Sequence, residues 1–354
     1  MTDLEKLCSR VTEAADCAVI TDDVNRRYFT AMKSSAGTLV VFPEKAYFII
    51  DFRYIEKARK TVKACEVILQ NKLYEQINRL IEKHGAKTVS VNADTCTLSE
   101  LIAYQQKLNA EVIADTKLAE IIREIRTVKS QEQIDKIIKA QRIAEKGFAH
   151  MLDFIKVGRT EKEIQLELDY YMLKNGAEAL SFDTIALSGS NTSLPHGVPS
   201  DKKVESGEFV LMDFGATYDG WHSDMTRTVC VGKPSDKMKS VYETVLTAQL
   251  TALDAVKAGM SGKALDKIAR DIITEAGYGD NFGHSLGHGV GVEIHESPYA
   301  SPSREDILPE NSIVTVEPGI YLEGKFGVRI EDFVVVTENG CINMTKAPKE
   351  LICL

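Results

Sequence analysis

The chain has 354 residues, 44% of them hydrophobic and 27% charged, and a formal net charge of −9. That apolar share excludes a disordered chain, and the length exceeds one comfortable core, so two domains are expected. The acidic balance argues against nucleic acid as the main partner, because phosphate binding needs a basic face.

The first residues, Met1-Thr2-Asp3-Leu4-Glu5-Lys6, hold no apolar signal-peptide core, and Phe48-Ile49-Ile50 is far too short to span a bilayer. Seven cysteines (Cys8, Cys17, Cys65, Cys96, Cys230, Cys341 and Cys353) are scattered and form no C-x-x-C pair. Reduced thiols in a cytoplasmic protein are therefore expected. Thr38-Leu39-Val40-Val41-Phe42 and Tyr47-Phe48-Ile49-Ile50 flank Pro43-Glu44-Lys45 and predict a hairpin. Apolar spacing at Leu73, Ile77, Leu80 and Ile81 predicts a helix over residues 71–83. A short strand over 88–91 follows Gly85, and 98–108 reads as a helix. Together these make a small α/β domain over residues 1–122, its boundary set to within about 4 residues.

The second domain spans residues 123–354. The charged stretch 121–129 leads into a helix that Ser130 and Gln133 open as a capping box. Thr160 with Glu163 opens another, and Gly176 stands where a left-handed residue would stop it. After residue 180 strands dominate, with two more helices near 236–258 and 262–276. The order of helices, strands, helices and strands predicts an α+β fold.

Two segments in that domain place carboxylates in apolar strands. Asp213 lies in Phe209-Val210-Leu211-Met212-Asp213-Phe214, and Asp224 lies in the strand-like 222–229. Between them Asp219-Gly220 is a strong hairpin signal. The two aspartates are equidistant from the Tyr218–Asp219 bond, so a hairpin centred there sets them opposite each other or nearly so. Glu317 and Glu331 repeat the design around Gly324. A histidine-rich run, His284 to His295 with His288 in Gly287-His288-Gly289, lies between the two hairpins, and His196 sits in a turn.

Opposed carboxylates repel unless a cation lies between them. Four carboxylates and one imidazole balance two divalent ions, and the oxygen-rich set points to manganese, cobalt or iron before a structural zinc site. A single strand carboxylate is ordinarily an edge or bulge residue; two pairs with a histidine cluster between them are not. The run Gly287-His288-Gly289-Val290-Gly291 does not match a dinucleotide-binding G-x-G-x-x-G, and no H-E-x-x-H zinc motif occurs.

Asp213-Phe214-Gly215, Ser223-Asp224-Met225-Thr226-Arg227-Thr228, Gly287-His288-Gly289-Val290-Gly291, Glu317-Pro318-Gly319 and Arg329-Ile330-Glu331-Asp332 resemble, in type, order and spacing, the pita-bread metallopeptidases. That family includes methionine aminopeptidase, aminopeptidase P and prolidase. The resemblance implies a pita-bread catalytic domain with Asp213, Asp224, His288, Glu317 and Glu331 as metal ligands. It implies that Asp224 and Glu331 bridge two ions, manganese first, with cobalt, iron and zinc as alternatives. Glu317 would be the proton acceptor and donor, His295 would meet the reacting carbonyl, and His196 and His284 would help position substrate and leaving group. Arg329 would support a ligand carboxylate, the plain alternative being a strand-surface ion pair.

Val24-Asn25-Arg26-Arg27-Tyr28-Phe29-Thr30 and Asp51-Phe52-Arg53-Tyr54 resemble a creatinase-type N-terminal domain. The implied protein is a homodimeric exopeptidase cutting between a first residue and a following proline. Many relatives carry an arginine shortly after the His-Glu that matches His295-Glu296, where it can meet a substrate carboxylate. Here Ser297-Pro298-Tyr299 follows and the next arginine is Arg304. That tilts the expectation toward an Xaa-Pro aminopeptidase, with an Xaa-Pro dipeptidase (prolidase) second. A non-catalytic binding module on the same fold is the more distant alternative.

Overall fold

Cys17–Ile20 (β1), wholly buried, lies inside the first sheet. The structure is a computed structural model describing residues 1–354, and it divides into two compact units, Met1–Arg126 and Thr127–Leu354. In the first unit Asp3–Arg10 (α1) precedes β1 and Asp23–Thr30 (α2) follows it. Thr38–Val41 (β2) and Ala46–Ile50 (β3) form the predicted antiparallel hairpin, with Phe42 and Lys45 hydrogen-bonded across the turn. Ile55–Thr61 (α3), Glu66–Leu69 (β4), Leu73–His84 (α4), Thr88–Val91 (β5), Leu98–Lys107 (α5), Glu111–Ile113 (β6) and Lys117–Thr127 (α6) complete the unit. The strand order is β4-β3-β2-β1-β5-β6, parallel at β3–β4, β1–β5 and β5–β6. The charged stretch after residue 120 begins as the end of α6, whose Leu118, Ile121, Ile122 and Ile125 are buried.

The second unit opens with Gln131–Phe154 (α7) and Glu161–Lys174 (α8), both carrying the predicted capping boxes. On α8 Ile164, Leu168 and Met172 are fully buried, each worth about 1.5–3 kcal/mol by transfer from water. Ala179–Leu180 (β7) and Ile185–Ser188 (β8) lead to Glu208–Phe214 (β9), Ala216–Tyr218 (β10), Trp221–His222 (β11) and Met225–Val231 (β12). Asp236–Ala255 (α9) and Gly262–Glu275 (α10) follow. The block of Gly287–Gly289 (β13), Glu296–Ala300 (β14), Ile313–Val316 (β15), Gly319–Leu322 (β16), Phe326–Arg329 (β17), Asp332–Thr337 (β18) and Gly340–Asn343 (β19) closes the unit. No helix is long and apolar enough to cross a membrane. All seven cysteines are free.

Near the start of this unit Lys129 is a fully buried cation, its Nζ 2.6 Å from Glu296 Oε1, with side-chain exposures of 0% and 6%. Removing one partner of such a pair leaves the other charge in a low dielectric. Lys129→Met is expected to cost about 3–5 kcal/mol of stability, whereas Lys129→Met/Glu296→Leu recovers most of it. Urea unfolding followed through Trp221, which is buried in this unit, reads both. A double variant as unstable as the single one would refute the ion-pair account.

Candidate metal centre

The two carboxylate hairpins are built differently. Asp219 and Gly220 both have positive φ, 49° and 82°, and form a two-residue turn between Tyr218 and Trp221. That register sets Asp213 opposite Thr226 rather than Asp224. The expected centre at the Tyr218–Asp219 bond is therefore one residue early. Asp224 belongs to neither β11 nor β12; it lies in the break between them, where Gly215 interrupts the partner strand. A Cβ on Gly215 would come within 1.9 Å of the Ser223 carbonyl, so only glycine allows the strands to approach there. In the other hairpin Gly319 pairs with Arg329, and Val316 pairs with Asp332. Glu317 and Glu331 thus meet in register about Gly324, as the sequence predicts, in a gap where the ladder is interrupted.

β13 brings His288 between the hairpins. Its backbone N–H donates to Thr315 Oγ1 at 3.0 Å, and Thr315 Oγ1 donates to Glu317 Oε1 at 3.0 Å. The imidazole Nδ1 lies 3.1 Å from the Gly289 carbonyl, which can only accept, so Nδ1 carries the proton. Nε2 then presents a lone pair, 3.3 Å from Glu317 Oε1 and 3.6 Å from Asp224 Oδ2. An imidazolium would turn these contacts into ion pairs, but burial holds the His288 pKa down at about 3. A lone pair facing carboxylate oxygens is a cation site in form.

Asp224, His288 and Glu331 bring ligand atoms within 4.8 Å of one another. Asp213 and Glu317 stand beside this trio and line the same cleft, of roughly 790 Å³. Two buried carboxylate oxygens, Asp213 Oδ1 and Glu331 Oε1, have no hydrogen-bond partner. Their opposite oxygens are held: Thr226 Oγ1 donates to Glu331 Oε2 at 2.7 Å and Arg329 Nη2 to Asp213 Oδ2 at 2.5 Å. Each carboxylate is oriented by one oxygen and aims the other inward.

Burial, followed by the charges of Asp213 and Glu317, raises the Asp224 pKa well above its usual range. Burial, then Asp224, does the same for Glu331. Glu317 is pushed up to about 8, chiefly by burial. Two unit charges 4 Å apart repel by about 4 kcal/mol at an effective dielectric of 20, well above the ~1 kcal/mol of a net hydrogen bond. Hydrogen bonds alone therefore cannot hold these groups ionised together, and the donor set fits divalent cations.

Arg329 is buried, and the strand-surface alternative does not describe it. Besides Asp213 it binds Thr226 Oγ1 at 3.0 Å and Tyr321 Oη at 2.7 Å. The Tyr321 hydroxyl donates to His284 Nε2 at 2.9 Å, because His284 Nδ1 donates to the Ser285 carbonyl at 2.8 Å. Both ring nitrogens of His284 are thus engaged within the protein. His295 packs against the cluster, its ring centroid 4.4 Å from that of His288. His196 is exposed on the cleft rim. Sequence reasoning missed Thr226, Thr315 and Tyr321. Thr315 and Glu317 are two residues apart, the strand spacing that puts side chains on one face, and that was the available signal.

A profile of metallopeptidase family M24 matches residues 135–338, and one of the creatinase/prolidase N-terminal domain matches residues 4–128. The chain is 40% identical over 352 residues to an Xaa-Pro dipeptidase of Pyrococcus furiosus, covering 99% of each. A solved Xaa-Pro dipeptidase of Bacillus anthracis superposes with TM-score 0.96 at 42% identity, covering 99% of each chain. An X-Pro aminopeptidase of Thermotoga maritima superposes at 0.89 with 38% identity, covering 96% of this chain and 98% of the other. The family match runs through every strand that frames the carboxylate cluster, and the chain belongs to metallopeptidase family M24, with a creatinase/prolidase N-terminal domain.

Proposed function

We propose that this metallopeptidase hydrolyses the bond between a first residue and a following proline, with dipeptides as its leading substrates. The observation that carries the hydrolytic reading is the convergence of the His288 Nε2 lone pair with four carboxylates, two of which keep a buried oxygen unpartnered. Asp213, Asp224, His288, Glu317 and Glu331 would hold two divalent ions, manganese being the first choice for an oxygen-rich set. When bound, such ions polarise the reacting carbonyl and make water a nucleophile near neutral pH. Glu317, which lines the cleft beside the His288 lone pair, takes a proton from the attacking water and delivers it to the leaving proline nitrogen. His295 donates to the oxygen that gains charge. His284 holds Tyr321 and the cleft wall, and His196 contacts substrate from the rim.

The proline preference is supported by the names of the dipeptidase and aminopeptidase relatives. One observation favours dipeptides over longer peptides: of these two likenesses, that to the Bacillus anthracis dipeptidase is the greater. The aminopeptidase reading rests on the Thermotoga maritima likeness. Ala-Pro is expected to be cleaved with a kcat/KM at least about tenfold above that of Ala-Pro-Ala, a difference of ~1.4 kcal/mol in transition-state binding. Equal or faster cleavage of the tripeptide would reverse the order.

A further inference from the structure

Glu161, the first residue of α8, has 0% exposure, yet no metal-site residue touches it. Its carboxylate accepts from five donors. Ser188 N–H and Oγ reach Oε1 at 2.7 and 3.2 Å. Ser200 N–H and Oγ reach Oε2 at 3.0 and 2.6 Å. Asn191 Nδ2 bridges both oxygens at 3.0 and 3.2 Å. Ser188 ends β8 and Ser200 lies twelve residues on, so one side chain clasps both ends of the intervening loop.

That loop carries His196, Gly197 and Val198 into the wall of the metal cleft. His196 itself is exposed, so its place depends on the loop backbone. Inside the loop Thr192 donates to the Gly189 carbonyl and accepts from Gly327 N–H, and Arg329 reaches the Pro195 carbonyl at 3.4 Å. These contacts hold the middle; at the ends, Lys202 Nζ donates to Ser188 Oγ at 3.1 Å, and the Glu161 carboxylate accepts from Ser188 and Ser200 together. A plain reading makes Glu161 a folding residue that satisfies buried donors. The arrangement goes further, because each donor pair belongs to one end of a segment whose tip faces the site.

We propose that Glu161 is a positioning residue for the hydrolytic reaction, closing the 188–200 loop so that His196 stands over the cleft. The proposal rests on the reading of that cleft as the peptidase site. Glu161 touches neither substrate nor metal and acts through the loop. An amide at this position would turn one acceptor oxygen into a donor facing the Ser188 or Ser200 N–H. The loop base would then open on that side.

The test uses the full-length, manganese-loaded protein. Glu161→Gln is expected to lower kcat/KM for Ala-Pro by about 10- to 100-fold, the scale of a small misplacement of a substrate contact. Manganese stoichiometry stays unchanged, and amide hydrogen exchange accelerates within residues 188–200. In a His196→Ala background the same substitution adds nothing further, since the contact it positions is gone. Ser200→Ala, which removes one hydroxyl from an exposed residue, gives a smaller loss in the same direction and serves if Glu161→Gln fails to fold. Wild-type kinetics with wild-type exchange in the folded variants would overturn the proposal, as would a loss fully additive with His196→Ala. A wild-type protein inert toward Xaa-Pro peptides would instead sink the functional reading, while the exchange data would still decide whether Glu161 fixes the loop.

Discussion

Glu317→Gln is expected to lower kcat on an Xaa-Pro dipeptide by about 10³-fold or more at saturating manganese, with the fold intact. Proton transfer by a positioned group contributes typically 10²- to 10⁴-fold, and Glu317 is the carboxylate best placed for it. Its carboxylate lies at the edge of the cluster, less fully buried than Asp224 and Glu331, and lines the cleft where the substrate would sit. The substitution keeps shape and keeps an oxygen for the Thr315 hydroxyl to donate to. The backbone N–H of Glu317 still donates to the Leu286 carbonyl at 2.9 Å. The folded state therefore loses little, and circular dichroism should not change. What is lost is an acceptor for a proton and one negative charge. The second loss weakens metal binding, so the rate must be measured over a metal titration. A variant that turns over within about tenfold of wild type once saturated would remove Glu317 from proton transfer.

The sequence was informative where local pattern decides structure. Glu317 and Glu331 were legible as a pair because one continuous register, centred on Gly324, runs through both ladders around them. Asp213 and Asp224 were legible as neighbours but not in register. The turn is Asp219-Gly220, and the strands break at Gly215 and at Ser223–Asp224. A break that swings a carboxylate out of the ladder leaves no trace in hydrophobic alternation. Helix starts at Ser130 and Thr160 were readable because a capping box is local in sequence. Glu161, the next residue, was not singled out, since its partners lie 27 to 39 residues away. The same separation hid Thr226 behind Glu331, 105 residues on. The lone pair of His288 rests on a carbonyl contact that no sequence pattern encodes.

Thorough chelation is expected to abolish Xaa-Pro hydrolysis, with manganese or cobalt restoring it, and to lower thermal stability at the same time. Both follow from one balance. Four carboxylates, two buried and two half-buried, around one neutral imidazole cannot all be ionised without compensation, as the upward shifts of Asp224, Glu317 and Glu331 express. Two divalent ions bring the four positive charges that compensate them. A ligand that binds only the folded state, at a concentration 100 times its dissociation constant, stabilises by about 2.7 kcal/mol per site. The chelated protein should therefore melt earlier than the manganese-loaded one, by a margin that grows with free manganese. Asp224→Asn separates this from a general salt effect. It replaces a carboxyl that is costly to ionise among its neighbours when no cation is bound, so its chelated form should be at least as stable as chelated wild type. It also removes a ligand, so its gain on adding manganese should shrink. A loaded variant that gains as much as wild type would take Asp224 out of the cation site. Hydrolysis that survives complete chelation would overturn the metal assignment itself.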